Sequence, residues 1–198
     1  NTNMKRRVVI TGMGWVTPLG YDLEMVWQRL LAGDSGAAPI TLFDARTFPS
    51  QFGAEVRNFD LQKHLGSHYE QHKTCSRNAG FALAAAEMAW HHAGLNGGLG
   101  INPEMVGVYL GGGEGPLDFD NFAAAAIHGW DADQHALNTQ RWREVAGKRL
   151  TAVKEFEQDP NCAAGHVACR FNAQGPNLNT LTACAASTQA LGEAAMLI

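Results

Sequence analysis

The hydrophobic positions of the chain alternate between short extended runs and longer helical ones. Three runs suit strands: the β-branched residues 7–11, the uncharged residues 106–110, and residues 177–182, where polar and apolar side chains alternate. A brief strand is also predicted at residues 54–56. Because residues 106–110 carry no charged side chain, we expect that strand to be buried on both faces.

Helical spacing of apolar residues predicts four helices between and after these strands. Their expected ranges are 22–31 with Asp22 as the N-cap, 76–92 with Ser76 or Asn78 at the start, 160–171 with Pro160 in the first turn, and 184–198. Strands that alternate with helices in this way indicate an α/β fold, with buried strands and covering helices.

Residues 118–153 interrupt this alternation with a helical and more polar stretch that includes the cluster Arg141-Trp142-Arg143. This part of the chain is the least core-like, so we expect a lid or a partner-facing excursion. At 198 residues the chain is long enough for one domain with a substantial core.

Composition and charge exclude several classes of function. The net charge of -4 and the lack of a basic run argue against a nucleic-acid surface, and no apolar run is long enough to span a membrane. The four cysteines, Cys75, Cys162, Cys169 and Cys184, form no C-x-x-C pair, so neither a zinc site nor a disulfide framework is indicated. We therefore expect a cytoplasmic protein without membrane contact.

Two glycine-rich segments resemble cofactor motifs but do not complete them. Thr17 occupies the position of the third glycine in a dinucleotide-binding motif that would begin at Gly12. The run from Gly111 to Gly115 follows a strand, but no Lys-Ser/Thr pair comes after it, which excludes a P-loop. We expect a tight turn with close backbone approach there, and no cofactor.

Three histidines, His64, His68 and His72, recur every four residues and would share one face of a helix. Such a face could bind a transition metal, but three imidazoles along two turns rarely converge on one ion. A solvated helix face is the favoured interpretation, and we expect no metal.

Cys184 lies where the strand 177–182 ends and a helix begins. Unpaired backbone N–H groups and the positive end of the helix dipole collect at such a junction, and both favour a thiolate. The flanking Ala183, Ala185 and Ala186 leave room for a substrate. A buried structural cysteine is the alternative, because free cysteines are among the most buried residues.

Several motifs, taken together and in order, resemble the elongating β-ketoacyl-acyl-carrier-protein synthases of the thiolase-like superfamily. The strongest is Thr-Ala-Cys-Ala-Ala-Ser at 182–187, which is similar to the nucleophile signature of that family. The other matching segments span almost the whole chain: residues 8–20, 30–36, Phe43-Asp44, Arg77 with 81–86, 106–113, Asn161 with 164–166, and Gly175-Pro176.

The resemblance implies the N-terminal half of a layered thiolase-like fold, with a mixed, mainly parallel sheet and covering helices. It also implies a decarboxylative Claisen condensation in which Cys184 accepts an acyl group and its backbone N–H donates to the oxyanion. The histidines and gating loop of the family would lie beyond residue 198. We thus expect one synthase domain over 1–198, cut within the helix after the nucleophile, and no activity from the isolated chain.

The partners implied by the resemblance are an acyl carrier protein, or coenzyme A thioesters, and a second subunit. A homodimer, or a heterodimer with a related subunit, would pair the strand 177–182 with its twofold mate.

Two departures from the family concern the acyl substrate. Gly113 and Glu114 fall where the family lines its acyl pocket, and the residue at 114 is usually apolar there. Residues 154–159 are likewise more polar than in relatives. Either the local alignment is shifted by a few residues, or the acyl group is short, polar or unusual.

Three other functions remain open. A non-catalytic homologue, such as a chain-length-factor subunit, typically lacks the cysteine. Another thiolase-like acyltransferase would use coenzyme A thioesters and differ in the residues beyond 198. A binding or scaffold module would use the excursion 118–153 to contact its partner.

Overall fold

A computed structural model of the chain describes residues 7–96 and 100–198. Two compact units are present: the described residues of 7–71 and 81–101 form one, and residues 72–80 and 102–198 form the other. In chain order the elements are α1 (Leu23–Leu31), β1 (Ala38–Pro39), β2 (Phe52–Gly53), α2 (Leu61–Leu65), α3 (Tyr69–His72), α4 (Arg77–His92), β3 (Val108–Gly111), α5 (Phe119–Gly129), β4 (Trp130–Asp131), β5 (Ala136–Leu137), α6 (Thr139–Arg149), α7 (Ala152–Phe156), α8 (Asn161–Phe171), β6 (Asn177–Thr180) and α9 (Ala186–Leu197).

The predicted helices at 22–31, 76–92 and 160–171 are confirmed, and polar side chains cap the first two. The Asp22 carboxylate accepts a hydrogen bond from the Met25 N–H at 2.8 Å, as an N-cap does. The Ser76 hydroxyl accepts from the Ala79 N–H at 3.2 Å, so α4 is capped by Ser76 and not by Asn78. Asn172 ends α8 in a left-handed conformation, with φ of 50°.

The two strands predicted nearest the N-terminus are wrong. Residues 7–11 form no strand, because no other described segment pairs with their backbone, and Val9 and Ile10 are 65% and 76% exposed. The short strand predicted at 54–56 is absent, and the nearest strand, β2, ends at Gly53. At 54–56 the Glu55 carboxylate accepts hydrogen bonds from the backbone N–H groups of Thr41 and Leu42. A side chain therefore holds this loop, in place of the backbone hydrogen bonds of a β-sheet.

The first unit has its core around α4, where Leu83 and Ala84 are fully buried. Gly12 and Gly14 lie directly against this helix: a Cβ at either position would come within 2.2 Å of a carbonyl oxygen of Ala89 or Ala85. The glycines that mimic a nucleotide motif therefore serve close packing of backbone on helix.

The second unit contains the parallel pair β3 and β6, with Val108 opposite Asn177 and Gly111 opposite Thr180. α8 and α9 both pack against this pair. β3 begins two residues later than predicted, because the Val106 N–H closes a 3₁₀ turn by donating to the Pro103 carbonyl. Only Val108 is buried and the other three residues of β3 are half-buried, so the expectation of a strand buried on both faces was wrong.

α5 and α6 form a helical hairpin in the second unit, joined through the two-residue antiparallel strands β4 and β5. Gly129 permits the close approach of the two helices, since a Cβ there would lie 2.8 Å from the Cβ of Trp142. Over residues 7–96 and 100–198, no helix combines the length and apolar character needed to cross a bilayer.

Candidate active site

Cys184 lies in a single 3₁₀ turn, residues 183–185, between β6 and α9. The Ala185 N–H closes this turn by donating to the Thr182 carbonyl at 3.1 Å. α9 itself begins at Ala186, two residues later than predicted. The Cys184 side chain is exposed in this chain, so its thiol is not part of the packed core.

Ala183, immediately before Cys184, has a left-handed backbone with φ of 49°. A single left-handed L-residue costs on the order of 1 kcal/mol, and such strained positions cluster at functional sites. The strain turns the chain sharply out of β6 and presents the thiol at the start of the helical segment. Nothing in the local sequence marks this conformation, because alanine has no preference for it.

Gly111, the last residue of β3, sets the position of α9. A Cβ at Gly111 would lie 2.3 Å from the Ser187 nitrogen and 2.4 Å from the Ala186 carbonyl carbon. The end of the strand therefore touches the backbone of the first turn of α9, two residues after Cys184. Only glycine allows this approach.

A second contact joins β3 to α9 further along the helix. The Tyr109 hydroxyl donates to the Glu193 carboxylate, which also accepts from the Gln189 amide at 2.6 Å. The hydrogen bond to Glu193 raises the pKa of Tyr109, and that same bond lowers the pKa of Glu193. Both shifts favour a protonated Tyr109 hydroxyl that donates to an ionised Glu193 carboxylate. This hydrogen bond holds α9 against β3.

The loop after β3 is packed by its backbone, as the glycine run predicts. The Gly112 N–H donates to the Thr180 carbonyl at 3.0 Å, and a Cβ at Gly112 would lie 2.9 Å from the Asn179 side-chain oxygen. The amide nitrogen of Asn179 donates to the Pro160 carbonyl at 2.9 Å. Gly115 approaches so closely that a Cβ would lie 1.7 Å from the Gln158 carbonyl oxygen.

Gly113 and Glu114 occupy the exposed middle of this loop. Nothing lies within 4 Å of the position of a Cβ on Gly113, and the Glu114 side chain is exposed. Glu114 is therefore not a buried carboxylate in this chain, and its place in an acyl pocket stays a prediction. The polar residue Lys154, in the segment 154–159, has a structural contact: its ammonium pairs with Asp118 at 3.2 Å.

The four thiols differ in environment. Burial, and then the nearby Glu157 charge, raise the pKa of Cys75 to about 11. Burial also raises the pKa of Cys162, whose thiol donates to the Phe156 carbonyl at 3.2 Å. Cys169, in the last turn of α8, is exposed like Cys184.

The solvated histidine face predicted for His64, His68 and His72 is wrong. These residues lie in three separate short elements, and His72 is only 1% exposed. The glycine at 66, with φ of 53°, interrupts the helix that the spacing implied. Within the described ranges, no three His, Cys, Asp or Glu side chains are arranged to hold a metal ion.

His72 belongs instead to a partly buried polar cluster that sequence spacing does not reveal. Its Nδ1 lies 2.9 Å from Nδ1 of His166, which is 94 residues further along the chain. Nε2 of His166 lies 2.9 Å from one oxygen of Glu157, and the other oxygen accepts from the Ser76 N–H at 2.9 Å. Only the tertiary fold brings these residues together.

Comparison with known proteins identifies the family. The family model described as "Beta-ketoacyl synthase, N-terminal domain" matches residues 5–198. The chain belongs to this family. The synthase resemblance seen in the motifs, and the thiolase-like α/β fold that it implied, are thereby confirmed.

The chain spans less than half of the length of the relatives that it matches. The "3-oxoacyl-[acyl-carrier-protein] synthase 2" of Coxiella burnetii is 36% identical over 194 residues, which is 98% of this chain and 42% of that relative. A crystal structure of a beta-ketoacyl synthase from Burkholderia phymatum STM815 has a TM-score of 0.73 at 24% identity, over 96% of this chain and 43% of that one.

A second similar structure is that of a type II PKS acyl-carrier protein in complex with its ketosynthase bound to the hexaketide. It has a TM-score of 0.67 at 20% identity, and the match covers 98% of this chain and 46% of that one. At this level of identity the likeness concerns the fold.

The contact between Gly111 and α9 generates the first prediction. Gly111→Ala should destabilise the synthase domain by about 1–3 kcal/mol, because the new methyl group meets backbone atoms that cannot rotate away. Chemical denaturation measures the change. Gly113→Ala, in the same loop with open space around it, is the matched control. Equal stability of the two variants would contradict the close contact.

The thiol environments generate a second prediction, tested with iodoacetamide at about pH 8 and peptide mass spectrometry. Cys75 should react on the order of a hundredfold more slowly than the exposed thiols, because a pKa of about 11 leaves little thiolate. Cys184 and Cys169 are both exposed, but Cys184 lies at the N-terminal end of a helical segment and Cys169 lies near the C-terminal end of α8. Since the N-terminal end stabilises negative charge, Cys184 should react faster than Cys169, and the reverse order would argue against an activated nucleophile.

Proposed function

We propose that this chain carries the nucleophile of a β-ketoacyl-acyl-carrier-protein synthase, and that Cys184 is that nucleophile. The observation that carries the proposal is the exposed thiol in the strained turn between β6 and α9. It lies in a domain whose family match extends from residue 5 to residue 198. Because the chain spans less than half of its relatives' length, the activity belongs to the protein as a whole.

In the first half-reaction, the Cys184 thiolate attacks the carbonyl carbon of an acyl thioester. The carbonyl oxygen becomes an oxyanion, which then collapses and expels the carrier thiolate; that thiolate takes up a proton. The Cys184 N–H lies in the first turn of a helical segment, where N–H groups have no partner within the helix. It is thus suited to donate to the oxyanion.

In the second half-reaction, a malonyl thioester loses CO2 and leaves an electron pair on its C2 carbon. That carbon attacks the acyl carbonyl on Cys184, the carbon–sulfur bond breaks, and the thiolate is regenerated. The product is a 3-oxoacyl thioester, longer by two carbons. We assign the groups that assist decarboxylation to the rest of the protein.

An acyl carrier protein is the partner that fits this reaction. The Coxiella relative is named for that carrier, and the similar type II PKS structure is of a carrier protein in complex with its ketosynthase. Coenzyme A thioesters are the alternative donors. We place the protein in the cytoplasm, where a nucleophilic thiol stays reduced.

A dimer, either of identical subunits or of related ones, fits the open edge of β6. Among the described residues β6 pairs only with β3, so the backbone groups on its other side can pair with a second strand. The presence of Cys184 favours a catalytic subunit over a chain-length-factor-like one.

Acyl transfer tests the assignment of Cys184 in the full-length protein. Incubation with a carrier protein that bears an acyl thioester should increase the mass of the synthase by one acyl group. Peptide mass spectrometry should locate that group on the peptide that contains Cys184. Cys184→Ala should abolish the adduct, whereas Cys169→Ala, which removes the other exposed thiol, should retain it. An adduct that survives in Cys184→Ala would refute the assignment.

The acyl chain length gives a separate prediction that depends on Glu114. If this carboxylate faces the acyl group, short or polar acyl thioesters should acylate Cys184 faster than long ones, because burying a carboxylate against a hydrocarbon chain is costly. Glu114→Leu should shift the preference toward long chains, with Glu144→Leu, at an exposed position on α6, as the control. A clear long-chain preference of the unaltered enzyme would contradict the hypothesis.

A further inference from the structure

The Tyr109 hydroxyl lies at the centre of a group of hydrogen bonds that joins three elements of the second unit. It donates to the Glu193 carboxylate on α9, and that carboxylate also accepts from the Gln189 amide at 2.6 Å. A further hydrogen bond joins the Tyr109 hydroxyl to the side chain of Thr180, the last residue of β6. We call these four residues the clamp.

The hydrogen bonds of the clamp have a defined direction. A phenol has a single proton, and Tyr109 uses it to donate to Glu193, so the Thr180 hydroxyl is the donor in the other bond. The pKa of Tyr109 is raised by the bond to Glu193 and by burial, whereas the bond from Thr180 acts to lower it, as a donor to the phenol oxygen does. The series therefore runs from β6 through β3 to α9.

The clamp and the glycine contact at the end of β3 hold α9 at two separate points. Tyr109 and Gly111 are two positions apart on β3 and so face the same side of the strand. Gly111 meets the backbone of Ala186 and Ser187, and Tyr109 reaches Glu193. These two points lie about two helical turns apart, so the helix is fixed in both position and direction.

The turn with the candidate nucleophile lies between the two ends of the clamp. Residues 181–185 connect β6 to α9 and include Cys184 and the left-handed alanine before it. Thr180 precedes this turn and Glu193 follows it, so Tyr109 joins the two flanks of the turn. A strained residue persists only where the surrounding structure over-determines its conformation. The clamp supplies such a constraint from both sides.

We propose that Tyr109 is a positioning residue for acyl transfer, which acts through Thr180 and Glu193 to keep the turn with Cys184 in its reactive geometry. The inference rests on the proposed assignment of Cys184 as the acyl acceptor. The thiol and the backbone N–H suited to the oxyanion both belong to this turn, so a rigid turn keeps them in one relation to the acyl carbonyl.

The first test compares Tyr109→Phe with the unaltered full-length protein, because phenylalanine keeps the ring and removes the hydroxyl that both bonds require. The maximal rate of transfer to Cys184 from a carrier protein that bears an acyl thioester should fall roughly ten- to a hundredfold, since a small displacement of a reacting group costs that much. The carrier concentration at half-maximal rate should stay the same. An unchanged maximal rate would overturn the proposal. Tyr21→Phe, which removes a phenol that donates to the Arg57 carbonyl in the first unit, is the control and should leave the rate unchanged.

Thr180 offers a matched pair of variants that tests the direction of the series. Thr180→Val keeps the branched shape and removes the hydroxyl, whereas Thr180→Ser keeps the hydroxyl. Transfer should slow in Thr180→Val and proceed at nearly the unaltered rate in Thr180→Ser. Equal rates in the two variants would refute a role for the hydroxyl.

Amide hydrogen exchange tests the clamp without any acyl group. The Ala185 N–H closes the turn by donating to the Thr182 carbonyl, so its exchange reports the turn directly. In Tyr109→Phe this amide should exchange roughly tenfold faster, because a hydrogen bond to a charged group no longer opposes local opening. The Trp142 N–H, which donates to the Asn138 carbonyl in the helical hairpin, should exchange as before and so show that the domain is folded.

The two measurements separate the positioning role from the assignment of the nucleophile. If the unaltered protein takes no acyl group on Cys184, that assignment is wrong, and exchange at Ala185 still decides whether Tyr109 holds the turn. If Cys184 is acylated but Ala185 exchanges equally fast with and without the Tyr109 hydroxyl, the positioning role is wrong and the assignment stands. Should Tyr109→Phe not fold, the same exchange is measured in Thr180→Val.

Discussion

The start of α9 depends on the lack of a side chain at Gly111. The strand β3 ends against the backbone of Ala186 and Ser187, at a separation that no other residue would permit. This contact fixes where the helix begins relative to the parallel pair, and hence where the 3₁₀ turn with Cys184 must be made. The Tyr109–Glu193 hydrogen bond then sets the direction in which the helix runs along the strand.

Glu157 plays a comparable part elsewhere in the same unit. One carboxylate contacts both the start of α4, 81 residues earlier in the chain, and His166 on the neighbouring α8, so two oxygens tie segments that are distant in sequence. The side chain of Asn179 links the start of α8 to β6. The support of the candidate nucleophile thus includes several polar and backbone contacts, and most of these contacts are directional.

The sequence predicted those features that depend on neighbours along the chain. Asp22 and Ser76 mark helix starts in the sequence because capping is a local interaction. The change of periodicity after Thr182 likewise predicts that Cys184 lies between a strand and a helix. The strand predictions at 7–11 and 54–56 were wrong because a strand forms only where a second segment pairs with it, and the local pattern does not show whether such a segment is present. The predicted face of His64, His68 and His72 was wrong for a similar reason: a spacing of four residues describes a helix face, whereas His72 contacts His166, 94 residues away.

The distribution of the thiols has a consequence for oxidative stress. Oxidation of cysteine to sulfenic acid requires both access and the thiolate form, and Cys75, half-buried and with a pKa of about 11, is poor in both. Cys162 is half-buried with a raised pKa as well, whereas Cys184 and Cys169 stand exposed. Peroxide would therefore modify Cys184 and Cys169 before the two half-buried thiols, so oxidation would begin at the surface of the domain and, on the proposed assignment, at its nucleophile.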